Sequence, residues 1–240
     1  MRYNNIAKLF FMLVAIAPIV PAHAVTCQTG STAVGVQRAC WHMDESPGAN
    51  TMQDAVDGNN GSLINVITGH FSNPPCYLNL CYEFKGTPSV AVVPNSATLN
   101  PGASDFSMSE HVNTGVIPPP SVGDYDVVRK GLSSSAGGDY KMEVLPKSQG
   151  TVAKASCHFK GSSAGSTLTK GPNLADNRWH TIVCTKTSTA IKLQVDGQVF
   201  SKTVTIGSIS NSDSVNVGAK SPLGADQYTG LMDEVSISIR

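Results

Sequence analysis

Along the C-terminal half of the chain, apolar and polar residues alternate with a period of two. Tyr140, Met142 and Val144 fall on one side, with Lys141 and Glu143 opposite. Ala155, Cys157 and Phe159 alternate with Lys154, Ser156 and His158. Ile191, Leu193 and Val195 alternate with Lys192 and Gln194, and Val235, Ile237 and Ile239 with Glu234, Ser236 and Ser238. Such alternation predicts antiparallel strands with one face on a core and one polar face. Upstream, residues 34–43 and 62–67 read as strands, and residues 105–113 place Phe106, Met108, Glu110 and Val112 on one side. Tyr82-Glu83-Phe84 and residues 89–93 read as a hairpin-like pair around Gly86. Asp196-Gly197 between two alternating runs specifies a tight hairpin, because both central residues of a type I′ turn need φ > 0. Helical periodicity of useful length and internal repeats are absent. The prediction is an all-β fold, a two-sheet antiparallel β-sandwich over residues 25–240.

The first residues read as an address. Arg2 and Lys8 flank an apolar stretch from Leu9 to Val20, and Ala22-His23-Ala24 fits a cleavage site, so residues 1–24 are expected to be a signal peptide. The stretch is too short for a spanning helix, and no second one follows. The expected location is therefore secreted, with no membrane span in the mature chain. Without Arg2 and Lys8 the mature chain has 15 basic against 17 acidic side chains, a net charge of −2. That balance gives no electrostatic footprint for nucleic acid. All six cysteines follow the cleavage site, which in a secreted chain argues for disulfides. Local pairing gives Cys27–Cys40 and Cys76–Cys81, with Cys40–Cys81 open as an alternative. No C-x₂-C is present, so zinc is not expected.

Seven segments together carry a resemblance. They are Trp41-His42-Met43-Asp44-Glu45, Asp54 with Gly58-Asn59-Asn60-Gly61, Tyr82-Glu83-Phe84-Lys85-Gly86, Leu99-Asn100-Pro101 with Asp105-Phe106, Val128-Arg129-Lys130-Gly131, Asn173 to His180, and Gly230-Leu231-Met232-Asp233-Glu234-Val235. In this order they resemble the laminin-G-like jelly roll of the concanavalin A-like lectin/glucanase superfamily, over nearly the whole mature chain. The resemblance implies a Cys157–Cys184 disulfide. It also implies a structural Ca²⁺ held by Asp233 and Glu45, since Ca²⁺ favours hard oxygen ligands. The fold hosts lectins, adhesive modules, hydrolases and lyases, so function must be argued from a site.

Catalysis finds little support in the sequence. Glucanases of this superfamily carry E-x-D-x-E or E-x-D-x-x-E, whose spacing puts carboxylates on one strand face. None of Glu45, Glu83, Glu110, Glu143 and Glu234 sits in that motif. Asp44-Glu45 and Asp233-Glu234 are adjacent residues, so their side chains point apart. No G-x-S-x-G occurs. His180, His158 and Tyr140 could serve a lyase, but His180 reads as structural. Trp41 and Trp179 are expected in the core, whereas Tyr77, Tyr125 and Tyr228 lie in loop-like surroundings and are the expected ligand-binding residues. The functional expectation is a secreted, non-catalytic binding module for an extracellular glycan or a surface protein. The alternatives are a glycosidase or polysaccharide lyase with an unrecognised site, and a purely structural or adhesive module. A cleft of clustered, shifted carboxylates would favour an enzyme. A shallow site with exposed aromatics would favour a lectin.

Overall fold

The computed structural model describes Cys27, residues 33–85 and residues 88–240. The leader with its Ala22-His23-Ala24 site and the turn residue Gly86 lie outside the described residues. In chain order the strands are β1 (Val36–Trp41), β2 (Thr51–Met52), β3 (Gly61–Ile64), β4 (Ile67–Gly69), β5 (Cys81–Phe84), β6 (Val90–Val93), β7 (Phe106–Asn113) and β8 (Tyr125–Lys130). They continue as β9 (Asp139–Lys147), β10 (Val152–Lys160), β11 (Gly165–Lys170), β12 (Trp179–Lys186), β13 (Ala190–Val195), β14 (Gln198–Thr203), β15 (Val215–Val217) and β16 (Gly230–Ile239). Among the described residues, no helix is long and apolar enough to cross a membrane.

Two antiparallel sheets result. The first runs β14-β13-β12-β7-β16-β5-β4, with β1 also on β16; the second runs β11-β10-β9-β8-β15-β6-β3-β2. This is the expected sandwich. The long strand β16 serves two neighbours along one edge: Met232 lies opposite Tyr82 of β5, and Val235 opposite Trp41 of β1. A bulge between Asp233 and Ser236, with Glu234 at φ 54°, marks the handover.

The inward faces follow the alternation. Trp41, Tyr82, Phe84, Phe106, Tyr140, Phe159 and Tyr228 are fully buried. Burying one such side chain stabilises the fold by about 1.5–3 kcal/mol. Their polar tips are satisfied: the Trp41 indole N–H donates to Asn59 O at 2.8 Å, and the Tyr140 hydroxyl to Leu99 O at 3.1 Å. Glu110 shares the inward side of β7, fully buried, and neither carboxyl oxygen has a hydrogen-bond partner among the described residues. Burial, and secondly the nearby Asp233, raise its pKa well above the carboxylate range.

Cys157 on β10 and Cys184 on β12 are bonded across the core, joining the two sheets. Cys27–Cys40 and Cys76–Cys81 are the other two disulfides, which excludes the Cys40–Cys81 alternative. Asp196 and Gly197, at φ 49° and 83°, form the two-residue turn between β13 and β14, where Val195 faces Gln198. One expected hairpin is corrected. β5 pairs with β4 and β16 in the first sheet, while β6 pairs with β3 and β15 in the second. A crossing between sheets leaves the same glycine punctuation as a hairpin.

Candidate functional site

The pleat that sends Tyr140, Met142 and Val144 into the core turns Asp139, Lys141 and Glu143 outward. The adjoining strands add Arg129 from β8, His158 from β10 and Thr167 from β11. The loop from Leu132 to Ser134 and Lys220 wall the space. Together they form a groove of about 450 Å³ on the outward face of the second sheet.

Ion pairs fix nearly every polar side chain there. Arg129 Nη1 donates to Asp126 Oδ2 at 2.7 Å, and its Nε to Gly131 O at 2.9 Å. The Lys141 ammonium contacts Glu143 and lies 3.4 Å from Asp124 Oδ2 and 4.0 Å from Asp126 Oδ1. His158 Nδ1 bonds Thr167 Oγ1 at 2.8 Å, while its Nε2 lies 3.3 Å from Asp139 Oδ1 in ion-pair contact without hydrogen-bond alignment. Lys220 Nζ donates to Asp226 Oδ2 at 2.9 Å. Burial pushes the Asp126 carboxyl up to about 6, against the pull of Arg129 and Lys141. Breaking the buried Arg129–Asp126 pair costs about 3–5 kcal/mol, so these two groups hold their places.

Two chemical consequences follow. Asp124, Asp126 and Glu143 offer carboxylate oxygens within 4.8 Å of one another, a spacing suited to a cation. Lys141 already supplies that cation, which argues against a metal at this point. Asp126, Glu143 and Asp139 each have a basic partner in Arg129, Lys141 and His158. A retaining glycosidase needs one carboxyl to donate a proton and another free to attack. Here Asp126 and Glu143 are held by Arg129 and Lys141, whereas neither Asp139 oxygen has a hydrogen bond among the described residues.

The expected ligand residues scatter. Tyr125 and Tyr228 are core residues, 2% and 0% exposed, with ring centroids 5.8 Å apart, and the Tyr228 hydroxyl donates to Asn113 O at 3.1 Å. This corrects their assignment to a binding surface. Their polar, glycine-rich neighbours in sequence suggested loops, but the rings turn inward over one end of the sandwich. Tyr77 is 43% exposed, on the Cys76–Cys81 loop. Trp179, expected in the core, is instead half-buried beside Tyr77, with centroids 5.9 Å apart. His180 is structural, bonding Asp196 Oδ2 at 2.7 Å and Asp176 Oδ1 at 3.0 Å. Of the groove residues, the sequence points to His158 alone, as a candidate for lyase chemistry. The only sequence signal for the others was their common placement on the polar side of successive strands.

Asp233 and Glu45 fit calcium unequally. Glu45 accepts from Gln53 N at 2.7 Å through Oε1 and from the Tyr82 hydroxyl through Oε2, each oxygen keeping a second lone pair. Asp233 accepts from Leu78 N at 2.8 Å through Oδ2, and its buried Oδ1 has no hydrogen bond among the described residues. Burial, then Glu234 and Asp44, push the Asp233 carboxyl up to about 8, while the Leu78 amide opposes the shift. An unpartnered buried carboxylate oxygen is a hard donor of the kind Ca²⁺ favours.

Residues 84–240 match a laminin-G family described as the Concanavalin A-like lectin/glucanases superfamily. No match was found among curated proteins. The binding domain of Paraclostridial Mosquitocidal Protein 1 superposes with a TM-score of 0.61 at 15% identity, over 85% of this chain and 49% of that one. The binding domain of Botulinum neurotoxin DC, solved in complex with rat synaptotagmin II, gives 0.53 at 11% identity, over 84% and 48%. Domain 4 of AbnA, a GH43 extracellular arabinanase from Geobacillus stearothermophilus, in complex with arabinotriose, gives 0.56 at 14% identity, over 84% and 91%. The chain spans about half the length of the two toxin domains it matches. At these identities the likeness is one of fold.

Proposed function

The chain belongs to the concanavalin A-like lectin/glucanases superfamily, and we propose that it is a non-catalytic binding module whose groove on β8–β11 takes an extracellular glycan. The observation that carries this reading is the pairing of Asp126 with Arg129 and of Glu143 with Lys141. Fixed hydrogen-bonding groups suit the hydroxyls of a sugar chain. The arabinanase domain solved with arabinotriose supports a glycan, and the toxin domain solved with synaptotagmin II supports a surface protein as the second choice. Extracellular placement belongs to the same proposal. Its support is the three disulfides, which persist in oxidising compartments. Calcium belongs to the proposal at Asp233, whose buried Oδ1 has no hydrogen bond among the described residues, with Glu45 as the second candidate ligand.

A polysaccharide panel tests the glycan reading. His158→Ala and Lys220→Ala leave the buried Arg129 and Lys141 pairs intact and should weaken capture about tenfold, the loss of one charged hydrogen bond. Capture unchanged in both variants would refute the groove. A hydrolase reading draws on the same cluster, because Asp126 rises to about 6 within reach of Glu143 and Asp124. New reducing ends released by the wild type and lost in Glu143→Gln would replace the binding reading with that one.

A further inference from the structure

The opposite sheet carries an aromatic surface that the groove does not use. Tyr77 is exposed, yet its ring is fixed. It stacks on His111 with centroids 3.7 Å apart and planes at 15°, and meets the edge of Trp179. The loop bearing it is closed by Cys76–Cys81 and pinned at both ends of its tip. Leu78 N donates to Asp233, Leu80 N donates to Asp44 Oδ1 at 2.9 Å, and the Trp179 indole N–H donates to Pro75 O at 2.8 Å. Tyr77 and Trp179 are therefore held in place before any ligand arrives.

A small pocket of about 160 Å³ opens on the same sheet, lined among others by Phe71, Asn73, Asn113, Asn177 and Thr229. Three links place it beside Trp179. Trp179 lies opposite Asn113 in the β7–β12 pairing, follows Asn177 by two residues, and bonds Pro75, next to the pocket residue Pro74. Asn177 stands at φ 60°, a left-handed conformation that asparagine tolerates. Among the residues lining the pocket Glu83 alone is charged, and it is paired with Lys85 at 2.8 Å. The volume equals about five waters at roughly 30 Å³ each, enough for one ring and too little for a chain.

We propose that this face is a second ligand site, separate from the groove, in which a neutral sugar ring packs on Tyr77 and Trp179 and is read through the amides of Asn73 and Asn177, while buried Asn113 donates to Asn177 O at 3.4 Å and braces that segment. Aromatic faces meet the apolar C–H surface of a pyranose, and carboxamides both donate to and accept from its hydroxyls. The site stands on the geometry of the first sheet and does not depend on the groove reading.

Trp179 is its own reporter, because the other tryptophan, Trp41, is fully buried. The experiment measures iodide quenching of tryptophan emission while neutral methyl glycopyranosides are titrated to about 50 mM, far above a Kd of about 1 mM. The site predicts saturable protection of Trp179. Affinity should fall about two- to tenfold in Tyr77→Ala, the worth of one aromatic contact. It should also fall in Asn177→Gly, which keeps the left-handed backbone and removes the amide. His158→Ala in the groove should leave protection unchanged. No protection by any neutral glycoside, or equal protection in both site variants with unaltered melting curves, would overturn the proposal. Loss of polysaccharide capture in His158→Ala while Trp179 stays open to iodide would leave the groove reading standing and remove this one.

Discussion

Replacing each disulfide in turn by a pair of alanines should rank the three bridges by the loops they close. The sequence separations are 27 for Cys157–Cys184, 13 for Cys27–Cys40 and 5 for Cys76–Cys81. Loop-closure entropy in the unfolded chain then gives about 3.6, 2.9 and 2.1 kcal/mol at 25 °C. Packing widens the order. Cys157 and Cys184 are fully buried between the sheets, so two missing sulfurs leave unfilled core volume, whereas Cys76 is only half-buried in a surface loop. The inter-sheet value is therefore a lower bound. Urea unfolding of the three double variants, with midpoint and slope fitted together, measures the losses. A smaller loss for the Cys157/Cys184 variant than for the Cys76/Cys81 variant would refute the reasoning.

Glu110→Met should stabilise the protein by about 1–3 kcal/mol, since it removes a buried carboxyl that has no hydrogen bond among the described residues and keeps similar length. The gain should grow as pH rises. Above the ordinary carboxylate range the unfolded chain releases a proton that folded Glu110 retains, so this group makes the wild type lose stability with rising pH, and the variant should lose less. Equal stability curves at pH 5 and pH 8 for both proteins would contradict this. If Asp233 holds calcium, Ca²⁺ at a hundredfold over its Kd should raise the melting temperature by about 5–10 °C, EDTA should reverse the rise, and Asp233→Asn should abolish it. A wild-type melting curve indifferent to both reagents would remove calcium from the account.

Much of the fold could be read from the pleat. Tyr140 and Phe159 inward, Lys141 and His158 outward, and Asp196-Gly197 at the turn are local properties of strand geometry. Even the odd member of the inward series on β7, Glu110, lies where the alternation puts it. The local disulfides follow from short loops, and the inter-sheet one from family resemblance. What could not be read was lateral. Asp139, Lys141, Glu143, His158 and Arg129 become a groove only because β8, β9 and β10 lie side by side, and sheet order is set by long-range pairing. Tyr125 and Tyr228 failed as surface residues for the converse reason. Their glycine and aspartate neighbours mark turns, yet a strand entering or leaving a turn can still aim its ring at the core. Trp179 opens β12, where the alternation has not yet committed it to the interior.

Nuclear magnetic resonance of isotope-labelled protein with an unlabelled oligosaccharide tests the central claim in one sample. Amides of β8 to β11 should shift in a saturable way, while the anomeric protons of the sugar stay constant for days. New reducing-end signals growing with time, or shifts that bypass those four strands, would contradict it.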